Sequence, residues 1–363
     1  MFSKFNHVET IDLLYLFLLG IFLSAIILVT KKYHVRFTAK GHEGLSVQSS
    51  HKLATPRIGG IVILIVFGFG VLMTDEYELY SYVIVMGVSA LPVFIGGLGE
   101  DIGLNVRPLF RLILSFASAA VAGLLFEIWI VHTSISALDF FLTVPVLAAL
   151  FTIFISGAFC HSINLIDGLH GLALGVSSII LLGLASISAN VGDELMVKIC
   201  LGGIACISGV LIFNFPFGKL FLGDAGAYTI GHIITWIGII LLSRNPSVAP
   251  FSILLVFFWP VFEMTFSVLR RLRRGKSVSM PDKLHFHQLI MRGMEILWLG
   301  RHRRNIANPL ASLVVISLSS IPVFLAQSTI DANSAAVFFF IFFFVSFLLI
   351  YEFLKWFFPS TLR

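Results

Sequence analysis

Apolar runs of about 16–25 residues recur along this chain with only short polar stretches between them, and a helix needs about 20 residues to cross a hydrocarbon core. That repetition decides the solvent. In lipid every backbone polar group must be satisfied within the segment, so the spacing predicts an all-α, polytopic integral membrane helix bundle. Spans are expected near 11–30, 58–73, 79–99, 109–131, 139–159, 172–190, 196–214, 225–243, 248–269, 310–327 and 334–358, about eleven transmembrane helices within a single integral membrane domain over 1–363. The 58–73 run is short for an average bilayer. The first run reads as an anchor, since Lys31-Lys32 follows it without a small-residue cleavage site. Composition closes the other classes. With 58% hydrophobic and 12% charged residues the chain is neither a soluble globule nor disordered, and three cysteines without CxxC spacing form no disulfide framework.

The basic residues orient the bundle, because cytoplasmic loops retain Lys and Arg. Alternating sides from the 31–57 loop places 21 of the 24 on one side and leaves only Lys4, Lys198 and Arg244 on the other. The N-terminus is therefore expected outside and the C-terminus in the cytoplasm, as an odd number of spans requires. Loops 31–57, 100–108, 160–171, 215–224 and 270–308 would then form one active face. The net charge of +5 is explained by this topology and calls for no nucleic-acid partner. Arg301-His302-Arg303-Arg304 reads as a headgroup anchor.

The polar residues that remain gather at that face. Glu100, Asp101, Asp167 and Asp224 each stand at the end of a span beside glycines, which let the backbone turn tightly and approach a ligand. Carboxylates drawn together repel unless a cation joins them, and oxygen ligands of this kind suit Mg²⁺, or Mn²⁺, held with substrate phosphates. Taken singly, Asp224 reads equally well as a helix N-cap. His285 and His287 flank one residue in the most basic loop, near Lys283, and suit a pyrophosphate better than zinc. Lys52 and Arg57 lie beside Thr-Pro and Gly-Gly turn elements, and Asn164 offers an amide at the lip of a span. Glu263, seven residues before Arg270, sits at a depth where a carboxylate needs a polar cavity or a partner. Arg111 and Glu127, near span ends, read as snorkelling charges.

At these segments the chain resembles the polyprenyl-phosphate N-acetylhexosamine-1-phosphate transferase superfamily. Asn164 to Gly171 is similar to its Asn-x-x-Asp-Gly-x-Asp-Gly segment, Phe221 to Gly226 to its Phe-x-Gly-Asp-x-Gly segment, and Pro281 to Arg292 to its histidine stretch, within a resemblance running from about residue 31 to 293. Three positions depart from the pattern: Glu100-Asp101 stands where the family pairs aspartates, His170 where it has a second aspartate, and Gln288 where it has a third histidine. The resemblance implies transfer of an N-acetylaminosugar-1-phosphate from a UDP-sugar to undecaprenyl phosphate, releasing UMP, in the bacterial inner membrane. Asp224 would bind metal. Asp167 would hold metal or nucleotide, Glu100 and Asp101 would bind metal or accept the lipid phosphate proton, Lys52, His285 and His287 would grip phosphate, and Asn164 would contact nucleotide or sugar. Two other readings share the frame: a transporter of lipid-linked headgroups, which predicts ionisable residues near the midplane instead, and an inactive scaffold, motivated by His170 and Gln288. Membrane lipids are partners on every reading, and pairing with a second copy is left open.

Overall fold

The computed structural model describes residues 7–38, 55–74, 76–275 and 284–358. Lys52 lies outside them. Among the described residues every regular element is a helix: α1 (His7–Val29), α2 (Lys31–Thr38), α3 (Gly59–Met73), α4 (Tyr77–Asp101), α5 (Pro108–Phe126), α6 (Ser136–Leu142), α7 (Pro145–Ile166), α8 (Leu172–Asn190), α9 (Glu194–Asn214), α10 (Gly223–Arg244), α11 (Pro250–Val256), α12 (Phe258–Arg273), α13 (Phe286–Met294), α14 (Arg304–Ala326) and α15 (Asn333–Phe357). The ends follow local chemistry. Pro108, Pro145 and Pro250 start α5, α7 and α11, where a missing N–H costs nothing.

Nine of these helices are long and apolar enough to cross a membrane, or ten with α11 and α12 taken as one broken span, against the eleven expected. The two differences have separate causes. The 58–73 run forms α3, only 15 residues long, and the 248–269 run is bent by 80° at Phe257 between α11 and α12. Hydropathy is continuous across that bend, so it gave no break. The seventh helix also lies later than 139–159: it starts at Pro145 and continues to Ile166, through positions read from the sequence as the start of loop 160–171.

The helix at the centre is α10. Its residues from Ala225 to Leu241 are all buried, and it packs on α4, α7, α3 and α8. Its small and polar residues, among them Gly226, Thr229, Gly231, His232 and Thr235, suit the middle of a membrane bundle, where close backbone approach and interhelical hydrogen bonds drive packing. Close approach there depends on glycine: a Cβ on Gly60 would lie 2.2 Å from the Gly226 nitrogen, and one on Gly97 would lie 2.5 Å from the Ala225 nitrogen. These contacts bring the first turn of α10 against the first turn of α3 and the last turn of α4. They assemble one polar end.

Candidate functional site

The first turn of a helix leaves N–H groups without partners and carries partial positive charge. In α10 those of Asp224 and Ala225 donate to the two carboxylate oxygens of Asp101, each at 2.9 Å. Gly223 makes the approach feasible, with φ of 76° and a Cβ position only 2.5 Å from Asp101 Oδ2. The segment before α3 is laid alongside by backbone bonds: Phe221 N–H donates to the Pro56 carbonyl, and Gly59 and Gly60 N–H donate to Phe221 and Leu222. That brings Arg57 Nε to 3.9 Å from Asp101 Oδ1.

Asp224 points its carboxylate away from this cap toward α5 and α7. Arg111 Nη1 forms a close ion pair with Oδ2, and Asn164 Nδ2 donates to Oδ1 at 3.1 Å. Both charged side chains are nearly buried, about one-sixth exposed at 16% and 15%. Asp167 follows α7 directly and accepts no side-chain hydrogen bond among the described residues. Removal from water pushes its carboxyl up to about 7; Asp224 adds to the rise, while Arg57 and His287 oppose it. Glu100 is half-buried, interacts electrostatically with Arg111, and has no hydrogen-bond partner for Oε2 among the described residues.

A second arm enters from α12 and α13. Glu263 Oε1 accepts from Phe286 N–H at 2.9 Å and faces His287 Nδ1 at 2.9 Å and His285 Nδ1 at 3.7 Å. An ionised carboxylate only accepts, so in this contact Nδ1 of His287 is the donor. Its Nε2 then faces Gly168, 2.7 Å from where a Cβ would stand, and has no partner among the described residues. Glu263 thereby has the partner its depth demanded. Arg270 fixes the approach of the same arm by donating to the Leu284 carbonyl and the Tyr351 hydroxyl.

Asp101, Asn164 and Asp224 are thus joined by direct contacts, and Asp167 and His287 by proximity. The expectation of four carboxylates gathered around one cation takes a different form: Asp101 is committed to backbone N–H groups and Asp224 to Arg111. Among the described residues no three His, Cys, Asp or Glu side chains are grouped to hold a metal ion. A magnesium ion that takes one or two carboxylates and completes its shell with phosphates and water needs no such trio, so Asp224 and Asp167 fit it. His170, read from the sequence as a lost anionic ligand, is buried elsewhere, with ring Nδ1 2.9 Å from the Pro216 carbonyl and its backbone N–H donating to Asn308 Oδ1.

Sequence reasoning missed Arg111, which it left as a snorkelling charge, and His161, which interacts electrostatically with Arg111 and Asp224 and packs its ring edge-on against Tyr228 at 4.8 Å. Spacing held a signal for the histidine: His161 precedes Asn164 by three residues, one face of a helix.

The chain matches the model of glycosyl transferase family 4 over residues 83–242. It is 33% identical over 254 residues to a protein of Bacillus subtilis (strain 168) named as a probable undecaprenyl-phosphate N-acetylglucosaminyl 1-phosphate transferase, covering 66% of this chain and 67% of that one. It is 26% identical over 288 residues to the undecaprenyl-phosphate alpha-N-acetylglucosaminyl 1-phosphate transferase of Yersinia pestis, covering 77% and 76%.

Proposed function

This chain belongs to glycosyl transferase family 4, and from that premise we propose that it transfers N-acetylglucosamine-1-phosphate from UDP-N-acetylglucosamine to undecaprenyl phosphate at the cytoplasmic face of the bacterial inner membrane. The observation that carries the reading is the junction at Asp224, where α4, α5, α7 and α10 contribute two carboxylates, a guanidinium and an amide at one polar end of an apolar bundle. A lipid phosphate oxygen attacks the β-phosphorus of the donor, the bond from that phosphorus to the bridging oxygen breaks, and UMP leaves with the bridging oxygen. Transfers of this kind depend on in-line positioning and on neutralising charge.

Each group has a part that its surroundings support. Asp224 and Asp167 would hold Mg²⁺, or Mn²⁺, which when bound neutralises the diphosphate. Arg111, released from Asp224 as the donor arrives, would hold donor phosphate. Asn164 contacts the nucleotide or sugar, and His287, held by Glu263 through Nδ1, meets phosphate with an Nε2–H donor beside His285. The Asp101 oxygens already accept two N–H donors, so Glu100 is our choice for the carboxylate that takes any proton from the lipid phosphate. Asp101 then acts as a positioning residue that sets the start of α10.

The test is purified protein in detergent with undecaprenyl phosphate, Mg²⁺ and a panel of UDP-sugars, following UMP and identifying the lipid product by mass. UMP from UDP-N-acetylglucosamine with the matching lipid diphosphate supports the reading. Lipid binding without UMP from any donor would overturn it.

A further inference from the structure

Away from the acid site, α12 and α15 diverge and leave a cavity of about 260 Å³ between them. The 80° bend that separates α12 from α11 swings α12 away, so aromatic rings rather than backbone bridge the space. Phe262 meets Phe344 at 4.8 Å and Phe266 meets Tyr351 at 4.6 Å, ring centre to ring centre. Phe262, Phe266, Phe344 and Leu348 make an apolar wall. The rim is basic: Arg270, Arg273, Arg274 and Lys355 line it, against the carboxylate of Glu352. Lys355 is paired with Glu352, whereas Arg273 and Arg274 are exposed and pair with no acid among the described residues.

Cations in the last turn of a helix answer the negative end of its dipole, and that accounts for part of the pattern. It does not account for the apolar cavity beneath them. We infer that the α12–α15 groove is a binding site for an anionic glycerophospholipid of the bilayer, with acyl chain on the aromatic wall and headgroup phosphate on Arg273, Arg274 and Lys355. Charge complementarity selects an anionic headgroup, and the wall selects a molecule with a tail. None of the three rim cations contacts Asp101, Asn164, Asp167 or Asp224, which favours a resident lipid over the acceptor substrate. Arg270, on the same rim, holds the Leu284 carbonyl, one residue before His285, so an occupied groove braces the arm that carries both histidines.

The experiment is native mass spectrometry of the delipidated full-length protein titrated separately with phosphatidylglycerol, phosphatidylethanolamine and undecaprenyl phosphate, with no donor present. Phosphatidylglycerol should bind more tightly than phosphatidylethanolamine. The double variant Arg273→Gln/Arg274→Gln should weaken phosphatidylglycerol by about fivefold per arginine at low salt while leaving phosphatidylethanolamine unchanged. Leu348→Trp, which fills the cavity, should remove the phosphatidylglycerol adduct with both arginines intact. Equal affinity for the two phospholipids in the natural chain, or unchanged phosphatidylglycerol binding in both variants, would overturn the inference. So would variants that lose undecaprenyl phosphate alone, since the groove would then belong to the acceptor.

Discussion

Arg111 and Asp224 are nearly out of water, and removing one member of such a pair leaves the other charge buried without compensation. Arg111→Met should therefore destabilise the protein by about 3 kcal/mol. Arg111→Met combined with Asp224→Asn should cost less than the two single changes added together, as thermal unfolding in detergent will show. Additive losses would mean that the pair is not coupled. The neighbouring acids part company in the same way. Glu100→Gln should lower kcat by about 100-fold with an unchanged melting temperature, the size expected of a proton acceptor, whereas Asp101→Asn should lower both because it disturbs the start of α10. Equal melting losses for the two would put Glu100 among the structural residues. Asn164, Asp167 and Asp224 were legible in the sequence because each lies in a short glycine-bearing motif. The commitment of Asp101 to backbone N–H groups was not, since it depends on α4 meeting α10 across 123 positions of chain. Arg111 was hidden for a related reason: a lone arginine near a span end looks like any snorkelling charge until its partner is folded against it.

At the scale of the element, the end of the bundle opposite the acid site has its own clamp. Asp193 caps α9 by accepting from Met196 N–H at 3.3 Å, and it also takes Arg244 Nε at 2.8 Å and Asn245 Nδ2 at 2.9 Å, tying the end of α10 to the start of α9. Burial works to raise its carboxyl, but the donors from Arg244, Asn245 and Met196 outweigh burial and hold it below the usual carboxylate range. A carboxyl depressed on folding stabilises the native state above its unfolded value of about 4, and that contribution is lost as pH falls through the folded value. Asp193→Ala should therefore cost about 1–2 kcal/mol at neutral pH, with its melting curve converging on that of the natural chain below about pH 4. A gap that persists into acid would show that the carboxylate charge contributes nothing. Helix existence was written in the apolar runs, but helix shape was not. The 248–269 run carries Phe257, Phe258 and Trp259 across the bend, and a continuous apolar stretch has the same hydropathy straight or folded by 80°.

On the scale of the whole molecule, sequence and structure constrain different things. The structure places the ends of α4, α7, α9 and α12 and the starts of α3, α5, α10 and α14 toward one face, because the contacts at Asp101, Asn164, Gly60, Arg111, Asn214, Asn308 and Arg270 join them there. A direction for that face comes only from the expected alternation of sides along the sequence, which assigns 21 of the 24 Lys and Arg residues to its loops. The short α3 is decisive for the count. At about 1.5 Å per residue its 15 residues reach only about 22 Å, yet it must connect the polar end to the opposite one if that asymmetry is to hold through all later spans. Single cysteines introduced into the native background test this directly, because Cys160, Cys200 and Cys206 are buried and give little competing reaction. In intact cells a membrane-impermeant maleimide should label Thr74→Cys, Ser134→Cys and Ser328→Cys but leave Arg107→Cys and Arg274→Cys unlabelled until the membrane is opened. If Thr74→Cys and Arg107→Cys react alike in intact cells, α4 does not cross, and a shared cytoplasmic site for Asp101 and Asp224 loses its frame.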